Sequence, residues 1–131
     1  MTLRPLALPV LLLAAPAAAQ PVNCADPQVQ VELTWCAEQA WLRADARLNA
    51  AYPRARAVMR GIDAALPPDR RGAERSLRDA QRTWIAFRDG ACDAEGWVFT
   101  GGSAQGMAIY ACLERLTVQR AADLESLAAM R

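Results

Sequence analysis

The chain has no histidine and no lysine. Histidine is the commonest general base and the commonest metal ligand, so its absence removes histidine-based triads, most catalytic zinc sites and a charge switch near neutral pH. All 15 basic residues are arginine, set against 14 aspartates and glutamates. So even a balance gives no electrostatic reason to expect nucleic acid or an anionic membrane as a partner. Short Cys-x-x-Cys clips are missing too: 11, 55 and 19 residues separate Cys24, Cys36, Cys92 and Cys112. That spacing argues against a structural zinc site and against a thioredoxin-like redox pair. Beyond Gln20 no segment alternates apolar and polar residues as a strand does, and there is no internal repeat or low-complexity tract.

What is present begins with an export signal. Met1 to Ala19 combine a positive start at Arg4, an apolar stretch from Leu6 to Ala15 broken only by Pro9, and small residues at Ala17 and Ala19, which predicts cleavage before Gln20. The stretch is too short and too proline-interrupted for a membrane span. The mature chain, residues 20–131, is therefore expected in the periplasm or outside the cell. Thiols oxidise there, so the four cysteines read as two disulfides. Its 112 residues fit one domain with an adequate but modest core. Loss of Arg4 leaves 14 arginines against 14 carboxylates, a net charge of zero.

Asp26-Pro27 has the form of an N-cap followed by proline at the first helical position. Apolar residues then recur in steps of three and four at Leu33, Ala37, Trp41, Ala44, Leu48, Ala51, Ala55, Met59, Ile62 and Leu66, one stripe of a long helix. Pro53 inside this run is expected to kink or divide it, and Leu66-Pro67-Pro68 ends it. A second helix is expected from near Asp69 to about Glu95, with Ala73, Leu77, Ala80, Trp84, Phe87 and Ala91 as its stripe. Gly96 to Gly102 reads as a loop, and Ser103 as the N-cap of a third helix carrying Ile109, Leu113, Leu116, Arg120, Leu124 and Leu127. Trp35, Trp41 and Trp84, on or near the stripes, are expected in the core.

Three amphipathic helices with short connections predict an all-α fold, an antiparallel three-helix up-down-up bundle stapled by two disulfides. Four cysteines allow three connectivities. With one turn centred near Gly101, Cys92 and Cys112 lie at similar heights on facing helices. With the other centred near Pro67, Cys36 is level with Val98, beyond Cys92, while Cys24 precedes the same helix and can fold back on it. These heights favour Cys24–Cys36 and Cys92–Cys112, with Cys36 joined to Cys92 or Cys112 as the competing arrangement.

Several fragments occur together: Leu48-Asn49-Ala50-Ala51-Tyr52, Leu77-Arg78-Asp79-Ala80-Gln81-Arg82-Thr83-Trp84, Phe87-Arg88-Asp89-Gly90-Ala91-Cys92, Gly101-Gly102-Ser103, and Cys112-Leu113-Glu114-Arg115-Leu116-Thr117-Val118-Gln119-Arg120. In this order they resemble the LprI-type lysozyme inhibitor family of exported four-cysteine helical domains, over roughly Cys24 to Leu127. The resemblance implies a binding protein that inhibits lysozyme by steric occlusion of its cleft, without catalysis, cofactor or metal. Val22 and Asn23 before Cys24 do not form a lipobox, so no lipid anchor is expected. The alternative is a periplasmic helical module that binds another envelope partner.

Two groups of residues stand out as candidates. Trp97, Val98 and Phe99, followed by Gly101, Gly102 and Ser103, form an apolar run in a glycine-flanked loop, which reads either as a lid over Cys92–Cys112 or as a partner-binding loop. Asp45, Asn49, Gln81, Arg88, Thr117 and Arg120 read as a structural polar network that fixes helix register. Matching heights sets Asp45 opposite Arg88. Asp89, Asp93 and Glu95 form an acidic cluster beside the expected loop. A carboxylate pair can act on sugars, but a solvated face is the simpler reading, and no catalytic residue is assigned.

Overall fold

The computed structural model describes residues 22–130; the export signal expected at residues 1–19 lies outside them. Helix α1 spans Gln30–Ala65, α2 Ala73–Trp97 and α3 Gln105–Ala129, with a short 3₁₀ turn at Pro68–Arg70 between the first two. Cross-helix pairs fix the topology. Cys92–Cys112, Arg88–Thr117 and Arg120–Gln81 join α2 to α3, and their residue numbers add to a nearly constant total, as antiparallel helices require. Arg56–Glu74 and Arg88–Asp45 do the same for α1 and α2. Tyr110–Glu38, Gln30–Met107 and Arg47–Glu125 instead keep a nearly constant offset, so α1 and α3 run parallel. The fold is an up-down-up bundle with both expected disulfides, Cys24–Cys36 and Cys92–Cys112. No helix among the described residues is long and apolar enough to cross a membrane.

The α1–α3 seam is the main interface, and it is made of small residues. Ala51, Ala55 and Ala121 are fully buried there, and with Leu48, Leu124 and Leu77 of α2 they form one apolar cluster. Alanines let the helix axes approach closely but contribute little area each, whereas burying a leucine stabilises by roughly 1.5–3 kcal/mol. A second cluster surrounds the Cys92–Cys112 bridge with Leu113, Trp41, Ile109, Tyr110 and Leu116. Trp41 stacks on Tyr110 with ring centroids 5.7 Å apart. At Gly96 an added Cβ would stand 2.6 Å from Ile109 Cγ1, so this glycine serves the close α2–α3 approach and belongs to the helix.

Several boundaries differ from the sequence expectation. The first helix starts at Gln30, with Val29 rather than Asp26 as its N-cap. Residues 23–26 form a turn instead, with the Asp26 N–H donating to the Asn23 carbonyl at 3.1 Å. The Cys24–Cys36 bridge, with Cα atoms 5.5 Å apart, folds the lead back on the first turns of the helix. Pro53 does not divide α1. Both Pro53 and Asn49, whose carbonyl loses its N–H partner, are exposed, so the loss falls on the solvent-facing side of the helix. The N-cap of α3 is Ala104, and Ser103 makes no capping bond. Trp35 is an exposed residue, off the α1 stripe.

The largest difference is the buried face of α2. Leu77, Gln81, Arg88, Cys92 and Gly96 are buried, whereas Ala80 and Phe87 are exposed. The apolar stripe read from the sequence is rotated from the true one because two of the residues that face the core are polar. The sequence reading also missed Asp63. Near the end of α1 its carboxylate accepts the backbone N–H groups of Gly72 and Ala73, both at 2.8 Å, and of Glu74 at 3.1 Å. It therefore caps α2 from outside that helix. These bonds hold the Asp63 carboxyl below its ordinary range. A carboxylate depressed in the folded state stabilises above its unfolded value, about 4, and that contribution is lost as pH falls through the folded value. Asp63→Asn is thus expected to lower the melting temperature at pH 7, with the gap to the wild type narrowing as pH falls below about 4. Melting curves across that range check this, and a gap that stays constant with pH would count against it.

Candidate partner-binding end of the bundle

The α2–α3 connection is a tight string of turns. Phe99 N–H donates to the Gly96 carbonyl at 3.0 Å, Thr100 N–H to Trp97 at 3.2 Å, and Gly102 N–H to Phe99 at 3.0 Å. Gly101 sits at φ 79°, a conformation that glycine adopts without a Cβ penalty. With the backbone satisfied internally, the side chains point away. Trp97 is 64 %, Val98 79 % and Phe99 45 % exposed, and Gly101, Gly102 and Ser103 are exposed as well. Trp97 closes α2 rather than opening the loop. None of Trp97, Val98 and Phe99 is among the residues packed around Cys92 and Cys112. Cys92 and Cys112 are sealed by the helices themselves, through Leu113, Trp41, Ile109, Tyr110 and Leu116.

The same end of the molecule carries the start of α1. Gln30 Nε2 lies 3.6 Å from Met107 Sδ, and Gly106 packs near Thr34. Val29, Val31, Leu33 and Trp35 are exposed there. The sequence reading assigned Leu33 and Trp35 to the core. The signal against Trp35 was available: it falls about 200° from Leu33 and from Ala37 on a helical wheel.

The acidic cluster is engaged. Asp89 holds Arg88 at 2.8 Å, Glu95 holds Arg115 at 2.5 Å, and Asp93 accepts the Trp97 indole N–H at 3.4 Å. Tyr110 donates its hydroxyl to Glu38 at 3.1 Å, and that carboxylate raises the Tyr110 pKa above its ordinary value. Charge is nevertheless unevenly divided along the bundle. The half at the Trp97 end, residues 22–47 and 86–115, has eight carboxylates and four arginines, a net charge of −4. The other half, residues 48–85 and 116–130, has nine arginines and six carboxylates, a net charge of +3. A nearly neutral chain thus carries a strong end-to-end dipole.

Between the two apolar clusters lies a polar layer. Arg88 donates to Asp89 and lies 3.5 Å from Thr117 Oγ1 and 3.7 Å from Asp45 Oδ1. Its guanidinium stands 5.1 Å over the Trp84 ring. Arg120 donates to Gln81 Oε1 at 2.9 Å and approaches the same ring at 6.0 Å. Gln81, Arg88 and Thr117 are buried. Asn49 is outside this layer: it is exposed and donates to Asp45 within its own helix at 2.8 Å. The layer is buried at Gln81, Arg88 and Thr117 and opens to solvent at its carboxylates, Asp45 and Asp89.

Comparison with known proteins now bears on this geometry. A family model described as "Lysozyme inhibitor LprI" matches residues 23–124. An uncharacterized protein of Rhizobium meliloti (strain 1021) is 39 % identical over 118 residues, covering 86 % of this chain and 85 % of its own. The crystal structure of a DUF1311 family protein from Pseudomonas putida KT2440 superposes with a TM-score of 0.64 at 25 % identity, covering 76 % of this chain and 94 % of that one.

Proposed function

This chain belongs to the LprI lysozyme inhibitor family, and on that premise we propose that it is a periplasmic or secreted protein that binds lysozyme through its Trp97 end and blocks the lysozyme cleft sterically. The family is one of inhibitors rather than catalysts, and two disulfides suit an oxidising compartment outside the cytoplasm. The observation that carries the reading is the exposed Trp97-Val98-Phe99 run on the half of the molecule with net charge −4. Large aromatic side chains dominate interface energetics when a partner desolvates them. Lysozymes are usually cationic, and an acidic end turns the bundle so that this run arrives first. The neighbouring Gly101-Gly102-Ser103 tip is small enough to enter a cleft. No proton transfer or covalent step is involved.

The test is a cell-wall clearing assay. The oxidised chain from Gln20 onward is titrated against c-type, g-type and i-type lysozymes. Saturable inhibition of at least one type is expected, with an association rate that falls as salt rises. Full clearing at micromolar protein for all three types, with helical circular dichroism intact, would remove the inhibitor reading.

A further inference from the structure

The positive half of the molecule has an arginine-rich flank far from the Trp97 turn. Arg71, Arg75 and Arg78 border a cleft of about 230 Å³ at the start of α2, whose walls also include Asp63 and Glu74. Both carboxylates are already committed. Asp63 accepts three backbone N–H groups, and Glu74 is held by Arg56 and Arg60. Among the described residues the one carboxylate within ion-pair distance of the three cleft arginines is Asp79, 3.7 Å from Arg78. Arg82 extends the row, because Arg75, Arg78 and Arg82 fall within about 60° of one another around the helix. All four side chains are exposed. Crowding like charges onto one helix face is unfavourable, and an anion between them relieves the repulsion. Planar guanidinium forks match phosphate oxygens in pairs, which lysine ammonium groups do not.

We propose that the Arg71–Arg75–Arg78 cleft binds a phosphate group, carried by an anionic lipid headgroup or free in solution. The amides at the start of α2 are taken by Asp63, so the arginines make the site. It is separate from the Trp97 end and does not depend on the inhibitor reading.

The test uses the full oxidised mature chain and the variant Arg75→Gln/Arg78→Gln. Arg71 is kept because its Nε donates to the Leu66 carbonyl and holds the turn. Titration with inorganic phosphate, followed through the arginine Nε–Hε NMR signals, is expected to shift Arg71, Arg75 and Arg78 saturably. Binding should weaken at least about tenfold in the variant. Sedimentation with phosphatidylcholine vesicles, with and without phosphatidylglycerol, separates the sources. Binding to the anionic vesicles alone, lost in the variant, assigns a lipid headgroup; phosphate shifts without vesicle binding assign a soluble phosphate. Absence of both overturns the site, and so does binding that the variant retains in full. Arg75→Lys/Arg78→Lys keeps the charge and loses the forks, and its weaker binding provides the same readout if the glutamine pair does not fold.

Discussion

Replacing Cys92 and Cys112 together by alanine is expected to lower the free energy of unfolding by about 3–5 kcal/mol and the melting temperature by roughly 10–20 °C. The bridge closes a 20-residue separation. Chain entropy alone gives about 3 kcal/mol for a loop of that length. Both sulfurs are also fully packed, with Cys92 0 % and Cys112 2 % exposed, so the substitution removes contacts at the centre of the second apolar cluster. The comparison is Cys24→Ala/Cys36→Ala. Its loop, a separation of 12, differs little in chain entropy, yet it ties only a terminal segment to the outside of α1. That segment can fray without opening the core, so the loss there should be less than half as large. Chemical denaturation of the two variants decides the matter. Equal losses would mean that packing around the buried sulfurs adds nothing.

The second large effect is expected at Arg88. Arg88→Ala should cost about 2–3 kcal/mol, from the loss of a charge-assisted hydrogen bond and a guanidinium–indole contact. The figure stays below the cost of breaking a fully buried ion pair. Its carboxylate partners, Asp45 and Asp89, have side chains 35 % and 55 % exposed, so water receives them when the arginine is gone. Thr117 has no such relief, being completely buried. Arg88→Lys keeps the charge but loses the fork over Trp84 and should fall between wild type and alanine. Thermal melting of the three proteins tests this. An alanine variant as stable as wild type would mean that the polar layer contributes nothing to the fold.

The helices and their disulfide pairing were legible in the sequence because two simple rules act there. Steps of three and four mark a helix, and short connections force neighbouring helices to matching heights, which sets Cys92 level with Cys112. Other features were hidden because a second constraint overrode the local one. Asp26-Pro27 has the composition of a helix start, but Asp26 is used in the turn that leads from Cys24, and the helix begins only at Gln30. Pro53 lacks a donor, yet on a solvent-facing surface that loss is small. The α2 stripe was misplaced because hydrophobic periodicity cannot mark a face whose core positions include Gln81 and Arg88. Phe87 and Trp35 look like core by residue type and are exposed by angle. At the candidate site, the apolar run was visible as a run, but its outward orientation depends on turns that satisfy their own backbone. The charge dipole was invisible in a net charge near zero and emerges only when the chain is folded back on itself.

The central claim is that the Trp97 end contacts lysozyme. The most direct measurement is the affinity of the triple variant Trp97→Ala/Val98→Ser/Phe99→Ser for whichever lysozyme type the wild-type chain inhibits, alongside its melting temperature. These side chains are exposed in the free protein, so melting should be unchanged, while affinity should fall at least about a hundredfold, as expected when the aromatic anchors of an interface are removed. A variant that binds and inhibits as well as wild type would place the contact elsewhere on the bundle and contradict the account.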